Sequence, residues 1–415
     1  MIVDCRLPIA ECRGVSPQKP GFVWQPLCTR QSSIDNRQCC FSSLSLYLSA
    51  MLVYVHVPFC ARRCTYCDFA IAVRRVTPSD AFASTVLREW RLRQSLSWWR
   101  DSPDIETVYF GGGTPSRLEP AALKLILRGL SADRSIIPGA EVTLEANPDD
   151  VTPDRAHAWR ALGVNRISLG VQSFEPTVLD WMHRTHTAGQ ADAAVRTLRE
   201  AGFDNVSLDL IYGLPASLPR DWKADLTRAL MLEPEHLSLY ALTVEPATPL
   251  GKWTSRGAVL PLPENRVAEE YLLANELLGQ SGFEHYEVSN AARPGYRARH
   301  NAGYWQRRPF IGLGPSAHSG ASRERTWNIR EWEAYHLAID AGLDPNAGKE
   351  VLTDEQMLIE AQYLGLRTSE GAAASLIPDF QKERWMEQGW ASMSGGRIRL
   401  TVEGWLRLDA LVAAL

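Results

Sequence analysis

The sequence predicts an α/β protein: a partial (βα)6 TIM-like barrel with a small C-terminal winged-helix-like α+β domain. Three observations support this fold. From residue 52 onward, short β-rich runs alternate with longer helical patterns, which is typical of βα units around a parallel sheet. Six units are present, fewer than the eight of a closed barrel, so we expect an open barrel whose mouth can take a large ligand. Beyond residue 350 the pattern changes to helices and a hairpin centred on Gly395-Gly396.

The predicted elements of the barrel follow one another along the chain. The six strands are β-rich runs at 52–57, 107–110, 141–145, 166–169, 206–210 and 236–240. The helical stretches lie at 79–98, 120–130, 153–162, 188–201 and 218–232. Two of them begin at Pro120 and Pro153, where the missing N–H of proline costs nothing. In the first strand, Tyr54 and His56 share one face by the period of two, which predicts an inward polar pair.

The chain divides into four predicted segments. Residues 1–50 mix Pro, Ser, Arg and Cys without a sustained period, so we expect a disordered extension or a mis-assigned start, with Met51 as the true start. A metal-binding or redox arm is the alternative. Residues 51–245 form the barrel. Residues 246–350, Pro-rich and then Gly-, Asn- and aromatic-rich, are predicted to cover it, and residues 351–415 form the winged-helix-like domain.

Composition and charge limit the classes of function. Of the 415 residues, 45% are hydrophobic and 22% are charged, which excludes disorder, collagen and coiled coil as descriptions of the whole chain. The formal net charge of -4 gives no broad cationic field, which argues against nucleic-acid and anionic-membrane binding. The winged-helix-like domain is therefore predicted to have a structural or docking role. No run of about 18 uninterrupted apolar residues occurs, so no integral membrane segment is predicted.

The eight cysteines are concentrated towards the amino terminus. Five precede Met51, the other three are Cys60, Cys64 and Cys67, and none follows. A disulfide-stapled fold would not leave most of the chain without cysteine. The pattern therefore indicates a reducing compartment, and we expect a cytoplasmic protein.

The strongest motif is the CxxxCxxC spacing of Cys60, Cys64 and Cys67, directly after the first predicted strand. Three thiolates on one short loop can bind three irons of a 4Fe-4S cluster and leave the fourth iron without a protein ligand. A zinc site is one alternative, with His56 on the preceding strand as the fourth ligand. A structural trio of buried cysteines is another, which the polar character of the loop disfavours.

This loop and the strand before it resemble a known signature. Tyr54-Val-His-Val-Pro-Phe-Cys60, followed by Cys64-Thr-Tyr-Cys-Asp-Phe69, is similar to the radical S-adenosylmethionine superfamily. Within this superfamily, the motif sequence resembles the oxygen-independent coproporphyrinogen III oxidase-like family and its group of HemW-type haem chaperones. The resemblance covers residues 51–415. It implies a cluster whose open iron binds S-adenosylmethionine, and an electron from the cluster that cleaves this cofactor to a deoxyadenosyl radical.

A glycine-rich segment at 111–116, GGGTPS, follows the second predicted strand. It lacks the lysine of a phosphate loop and the last glycine of a dinucleotide fingerprint, and a tight turn is the alternative interpretation. The resemblance implies that it lines the methionine end of the cofactor. Polar residues at or beyond strand ends are carried over in the same way. The implied cofactor residues are Tyr54, Tyr66, Gly112, Gly113, Thr114, Glu145, Gln172, Arg184 and Asp209.

A third segment, His300-Asn-Ala-Gly-Tyr304-Trp305, combines an imidazole with two large aromatic rings. A histidine beside aromatic residues is often a satisfied structural residue. Here the segment resembles the HNxxYW signature of the HemW-type group, which makes His300, Tyr304 and Trp305 candidates for binding haem. The segment that follows, 312–317, fits GxGxxA but lacks the βαβ context of a dinucleotide site. His318 is a secondary ligand candidate there.

The residue two positions after the third cysteine separates two hypotheses. The oxidases carry another cysteine there, whereas this chain has Phe69, and it lacks a recognisable ordered arm before the first strand. Our leading hypothesis is a haem chaperone that binds haem, a 4Fe-4S cluster and S-adenosylmethionine, takes electrons from a donor and delivers haem to an acceptor protein. The alternative is an oxygen-independent coproporphyrinogen III oxidase. A zinc-dependent nucleic-acid module fits the charge poorly.

Overall fold

The computed structural model describes residues 51–94 and 104–415. The interpretation of residues 1–50 and the last part of the first predicted helix lie outside these ranges. The strands are β1 (Met51–Val57), β2 (Phe59–Cys60), β3 (Ala72–Val73), β4 (Ile105–Gly112), β5 (Ile136–Ala146), β6 (Arg166–Gln172), β7 (Val206–Tyr212), β8 (His236–Ala241), β9 (Glu284–Glu287), β10 (Asn290–Ala292), β11 (Phe310–Leu313), β12 (His318–Ala321), β13 (Glu324–Asn328), β14 (Asn346–Val351), β15 (Ala372–Ala373), β16 (Ala391–Ser394) and β17 (Arg397–Leu400).

The α-helices of the described ranges are, in chain order, α1 (Ser79–Arg93), α2 (Pro120–Asp133), α3 (Pro153–Ala161), α4 (Pro176–Trp181), α5 (Ala188–Glu200), α6 (Trp222–Met231), α7 (Pro249–Ser255), α8 (Glu264–Gln280), α9 (Arg299–Trp305), α10 (Trp332–Asp340), α11 (Asp354–Leu366), α12 (Asp379–Glu387), α13 (Val402–Trp405) and α14 (Leu408–Ala413). The fifth predicted helix begins later than expected, at Trp222. The reason is local: the side chain of Asp221 accepts a hydrogen bond from the Ala224 N–H and so caps the helix.

All six predicted strands form, and they lie side by side in a parallel arrangement as β1, β4, β5, β6, β7 and β8. A seventh parallel strand, β11, pairs with the free side of β1. Antiparallel strands then extend both edges, with β10 and β9 beside β8 and β12 to β14 beyond β11. The segment 246–350 was expected to cover the barrel. Six strands of this region, β9 to β14, belong to the sheet itself, which was not predicted.

Side chains alternate between the two faces along most of each central strand. On β1, Val53, Val55 and Val57 pack into the large apolar core under the helices, whereas Tyr54 and His56 face inward and contact each other, as expected. The other central strands repeat this alternation. Their buried inward residues are Thr107, Tyr109, Glu141, Thr143, Glu145, Arg166, Ser168, Ser207, Asp209, His236 and Ser238. The barrel is therefore a polar compartment inside an apolar shell, and buried polar groups of this kind require hydrogen-bond partners.

A buried ionic contact fixes the edge strands to the barrel. On α1, Glu89 and Arg93 form a salt bridge of 2.9 Å, and both side chains are almost fully buried. The carboxylate of Glu89 also accepts hydrogen bonds from the Gly314 N–H at 2.8 Å and from the Tyr335 hydroxyl at 2.6 Å. Since one carboxylate ties α1 to the end of β11 and to α10, the edge strands and the barrel pack as one body.

The C-terminal unit contains helices and the expected hairpin, together with a short strand that was not predicted. A helix, a short strand, a second helix and a two-stranded hairpin come in succession, and the strands form a three-stranded antiparallel sheet in the order β15-β17-β16. Gly395 and Gly396 form the two-residue turn with φ of 57° and 72°, the left-handed conformation that such hairpins require. No helix among the described residues is both long and apolar enough to cross a membrane.

Candidate functional site

A cleft opens at the carboxyl ends of the parallel strands. It contains eleven of the twelve residues predicted to bind the cluster or the cofactor, drawn from six stretches of the chain. Those eleven are Cys60, Cys64, Tyr66, Cys67, Gly112, Gly113, Thr114, Glu145, Gln172, Arg184 and Asp209. Clefts with a few convergent polar groups at this end of a parallel barrel are where such proteins bind ligands.

The cysteine loop is anchored at both ends and in the middle. Cys60 lies on β2, which pairs in parallel with β3, so that its register partner is Val73. In the middle of the loop, the Thr65 N–H donates to the Met182 carbonyl at 3.3 Å, and the Leu250 N–H donates to the Thr65 carbonyl at 2.9 Å. These backbone contacts hold the three thiols at the mouth of the barrel, where each is half-buried.

Burial controls the charge of the thiols. Desolvation raises the pKa of Cys60 to about 11 and that of Cys67 to about 12. The Thr114 hydroxyl donates to the Cys60 sulfur at 3.4 Å, and a guanidinium nitrogen of Arg184 donates to the Cys64 sulfur at 3.6 Å. The hydrogen bond from Thr114 opposes the rise in the pKa of Cys60. Binding of a metal cluster here is therefore coupled to loss of the thiol protons.

The floor of the cleft is backbone without side chains. At Gly113, a Cβ atom would lie 2.8 Å from the carbonyl carbon and oxygen of Pro58 and 3.0 Å from the Cys60 sulfur. At Gly112, φ is 111° and a Cβ atom would lie 2.7 Å from the ring of His56. Only glycine fits at either position, because atoms of His56, Pro58 and Cys60 lie where a Cβ atom would be.

A buried carboxylate lies next to this floor. Glu145, at the end of β5, accepts hydrogen bonds from the Gly112 N–H and from the Tyr109 hydroxyl, both at 3.0 Å. Burial raises the pKa of this carboxyl above its usual range, and the two hydrogen bonds oppose that rise. The carboxylate is therefore held in one orientation towards the cleft.

A β-bulge aims Gln172 into the cleft. The register between β6 and β7 shifts between Gly170 and Gln172, and Gln172 has a φ of 68°, which is rare for a residue with a side chain. Its side-chain oxygen is buried and has no hydrogen-bond partner among the described residues. A buried polar atom without a partner is costly, which points to a ligand at this position.

Arg184 and Asp209 complete the polar wall. One guanidinium nitrogen of Arg184 donates to the Asn147 side-chain oxygen at 2.6 Å and to the Gly170 carbonyl at 2.9 Å, while its Nε is buried without a partner in the described ranges. Asp209 accepts from the Ser168 hydroxyl at 3.0 Å. Both residues are thus fixed by neighbours at strand ends and face the same space.

Asn147 and Ser168 are site residues that the sequence analysis missed. Both line the cleft, and each directly holds one of the predicted residues. Their signal was present, because Asn147 directly follows β5 and Ser168 occupies an inward position of β6. The polar type alone did not separate them from ordinary loop and strand residues.

Tyr54 and His56 lie below the cleft. Tyr54 does not line it. Since Nε2 of His56 donates to the Ala70 carbonyl at 3.0 Å, its Nδ1 accepts from the Tyr54 hydroxyl at 3.0 Å. Burial lowers the pKa of His56 to about 4, which keeps the ring neutral. Both ring nitrogens are thus used inside the barrel, so this geometry does not supply the fourth ligand of a zinc site.

The three predicted haem residues lie at the opposite end of the barrel. Two N–H groups at the start of α9, those of Arg299 and His300, donate to the carboxylate of Glu141 at 2.9 and 3.0 Å. Glu141 is four residues before Glu145 on the same strand, which corresponds to about 13 Å. The helix therefore closes the amino end of the barrel, far from the cysteine loop.

His300 is fully buried in this plug, and the structure does not support it as an axial ligand in this conformation. One ring nitrogen is 2.6 Å from the Thr107 hydroxyl and the other is 2.8 Å from the Tyr304 hydroxyl. Burial lowers the pKa of the imidazole to about 3. Because both nitrogens are hydrogen-bonded and the ring has no exposed surface, neither nitrogen is available to coordinate an iron. Trp305 is half-buried and lies under the Arg367 guanidinium at 4.5 Å.

His318, the secondary ligand candidate, is half-buried on β12 and stacks on Trp327 at 5.9 Å. Within the described ranges, no three His, Cys, Asp or Glu side chains converge on a point that one metal ion could occupy. Thiols that each bind a different iron of one cluster need not converge on a point. The spacing of Cys60, Cys64 and Cys67, the bare floor and the unpartnered polar atoms fit a cluster and a polar cofactor beside it.

A half-buried cysteine loop at the mouth of an open parallel barrel, with a glycine floor beneath it, defines a radical S-adenosylmethionine protein. The family model described as "Radical SAM superfamily" matches residues 54–228. The solved structure of coproporphyrinogen III oxidase (HemN) from Escherichia coli is similar in fold, with a TM-score of 0.73 and 23% identity over 89% of this chain and 90% of that one.

Curated relatives narrow the class to a family. "Heme chaperone HemW" of Synechocystis is 37% identical over 80% of this chain and 81% of its own length. The protein of the same name from Mycobacterium tuberculosis is 36% identical over 88% and 94%, and that of Escherichia coli is 36% identical over 65% and 70%. The chain belongs to the HemW family.

Proposed function

We propose that this protein is a haem chaperone, which binds haem, a 4Fe-4S cluster and S-adenosylmethionine and delivers haem to an acceptor protein in the cytoplasm. The observation that carries the proposal is the cleft itself. It combines a complete set of cluster thiols with a side-chain-free floor, and Phe69 lines it at the position where the oxidases carry another thiol. Relatives with the printed name "Heme chaperone HemW" over most of both chains support the same conclusion.

The residues of the cleft have distinct roles in this proposal. Cys60, Cys64 and Cys67 hold the cluster, and Gly112 and Gly113 let the cofactor approach the backbone closely. The carboxylates of Glu145 and Asp209 bind the polar groups of S-adenosylmethionine, together with the remaining predicted residues Tyr66, Thr114, Gln172 and Arg184. When bound, the cluster supplies the means of transferring one electron to the cofactor, and a separate electron donor reduces it. Arg184, held by Asn147, orients the loop through Cys64.

The alternative, a coproporphyrinogen III oxidase, has a specific observation in its favour, namely the similarity in fold to HemN. At 23% identity that similarity concerns the fold alone. Phe69 places an aromatic ring where a further thiol would lie. We therefore propose no turnover of coproporphyrinogen III by this chain.

Haem binding by this chain places constraints on the HNxxYW segment. Trp305 is the half-buried member of the predicted trio and can contact a haem ring at the surface. His300 and Tyr304 would reach haem only if α9 left the barrel. We therefore expect that haem bound to the closed protein is not ligated by His300.

The test uses the full chain, purified and reconstituted with iron and sulfide without oxygen. Titration with haem, followed by its Soret absorption, should give a saturable complex at a fixed stoichiometry, and that complex should transfer haem to a purified haem-free globin added as a probe. Incubation with reductant, S-adenosylmethionine and coproporphyrinogen III should yield no decarboxylated product by mass spectrometry. Product formed over many turnovers would establish the oxidase instead, and the absence of both haem binding and product would refute both functions.

A further inference from the structure

The inference concerns the buried imidazole at the amino end of the barrel and its link to the cleft. His300 belongs to α9, and its ring packs against the ring of Tyr109 with centroids 5.0 Å apart. Tyr109 reaches upward from β4, and its hydroxyl donates to Glu145 at 3.0 Å. All three side chains are at least nine-tenths buried. A continuous column thus runs from the plug to the floor of the cleft.

Tyr54 is a second aromatic neighbour at the base of the column. Tyr109 also contacts the ring of Tyr54, with centroids 6.2 Å apart, and Tyr54 lies 6.4 Å from His300. The imidazole itself is held on both sides, by Thr107 and by Tyr304, and its helix is held by the carboxylate of Glu141. Interiors are close-packed, so removal of a ring at the base leaves a cavity into which its neighbours shift.

We propose that His300 is a positioning residue of the cofactor cleft: it supports Tyr109, which in turn orients the carboxylate of Glu145 towards the cofactor. This inference rests on the proposed cofactor site. It assigns His300 of the HNxxYW segment to the binding of S-adenosylmethionine and gives that residue no part in ligating haem. The carboxylate keeps its second hydrogen bond, from the Gly112 N–H, so loss of the support turns the carboxylate rather than releasing it.

The experiment compares variants of the full chain carrying a reconstituted cluster. His300→Ala should weaken binding of S-adenosylmethionine, measured by calorimetric titration, by roughly tenfold, the equivalent of about 1.4 kcal/mol. Iron content and cluster absorption should stay unchanged. His300→Gln keeps an amide at the position of the ring nitrogen that faces Tyr304 and should restore affinity to within about threefold of the original.

Two further variants separate positioning from a general loosening of the fold. Tyr304→Phe removes a hydrogen bond of the same imidazole but leaves Tyr109 supported, so it should leave cofactor affinity unchanged. Tyr109→Phe removes the hydroxyl that reaches Glu145 and should weaken binding by roughly twentyfold, because a hydrogen bond to a carboxylate is stronger than one between neutral groups. In a protein that already carries Tyr109→Phe, the further change His300→Ala should weaken cofactor binding less than it does in the unmodified chain. The reason is that both changes act through the Tyr109 hydroxyl.

Other outcomes overturn the inference. Unchanged cofactor affinity in His300→Ala with full iron content would refute it, as would additive effects of His300→Ala and Tyr109→Phe. Loss of haem binding with cofactor affinity intact would assign His300 as a haem ligand instead. Glu145→Gln separates a failure of the cofactor site from a failure of the positioning role. If Glu145→Gln weakens cofactor binding while His300→Ala does not, the positioning role fails but the assignment of the cofactor site stands. If Glu145→Gln has no effect, the cofactor site and the inference built on it both fail.

Discussion

The two ends of the barrel are built from the same strands but are used differently. At the carboxyl end, thiols are half-buried and glycines leave backbone bare. One polar atom each of Gln172 and Arg184 is buried there without a partner in the described ranges. At the amino end, α9 fills the space. Both ring nitrogens of His300, which the sequence analysis treated as a candidate haem ligand, are hydrogen-bonded to Thr107 and Tyr304. Chemistry-bearing residue types occur at both ends. Solvent access and unused hydrogen-bonding atoms distinguish a binding site from a packed interior.

The largest expected effect is at the carboxyl end. Cys64→Ala should abolish the cluster, because two thiols cannot replace three in holding it at the mouth of the barrel. Iron analysis and the iron–sulfur absorption band measure this directly. Arg62→Ala changes an exposed neighbour in the same loop and should keep full iron content. An intact absorption band in Cys64→Ala would overturn the cluster assignment.

Next in size is Gly113→Ala. The added Cβ would lie 2.8 Å from the Pro58 carbonyl group, and backbone cannot yield as a flexible side chain does. We expect loss of measurable S-adenosylmethionine binding by calorimetry, with partial loss of iron. Gly189→Ala is the matched control, since Gly189 lies on α5 with nothing within 4 Å of the new atom. It should leave binding unchanged and raise stability by up to about 1 kcal/mol. Equal behaviour of the two variants would contradict the role of the floor.

The amino end predicts a specific pH dependence. The folded pKa of His300 is about 3, below the value of 6.5 that an exposed imidazole has, because burial opposes the charge. Below pH 6.5 the unfolded chain therefore takes up a proton at this residue that the folded chain does not, and stability falls as the pH decreases. When the pH is lowered from 7.5 to 5.5, this residue should decrease the free energy of unfolding by about 1.4 kcal/mol.

Urea unfolding at the two pH values checks this expectation. In His300→Gln the loss of stability between pH 7.5 and 5.5 should be smaller than in the unmodified chain by about that amount, since glutamine does not titrate. Identical pH dependence in the two proteins would mean that His300 is not buried as a neutral ring, and the contrast between the two ends would fail.

The smallest effect expected is that of Tyr304→Phe. It removes one buried hydrogen bond to His300 at 2.8 Å and keeps the aromatic packing, including the contact with Phe310. We expect a loss of about 1 kcal/mol in free energy of unfolding, measured with urea, and no change in iron content. A loss of iron would show that the plug supports the cysteine loop as well as the barrel.

Much of the barrel could be predicted because its signals are local. The six strands form as expected, since alternation of apolar and polar residues is a property of each strand alone. The seventh parallel strand, β11, was not predicted. It is four residues long and is specified by its partner β1, a pairing that no local pattern in Phe310–Leu313 announces.

The candidate site divides in the same way. The spacing of Cys60, Cys64 and Cys67 and the run of three glycines imply their positions, because the residues concerned are close in sequence and their chemistry restricts what they can do. The bulge at Gln172 and the hydrogen bond from Arg184 to Asn147 depend on how β6 meets its neighbours. Such contacts join residues far apart in the chain, and single polar side chains do not signal them.

The sequence by itself determined the class of fold, the cysteine loop and the glycine floor, since each rests on short-range spacing and on the conformational freedom that only glycine has. Tertiary structure alone decided which polar residues are available. His300 and Glu145 are both buried titratable groups next to Tyr109, yet one is sealed inside the barrel and the other borders the cleft. The difference lies in packing from elements distant in sequence, which sets solvent access and hydrogen-bond partners.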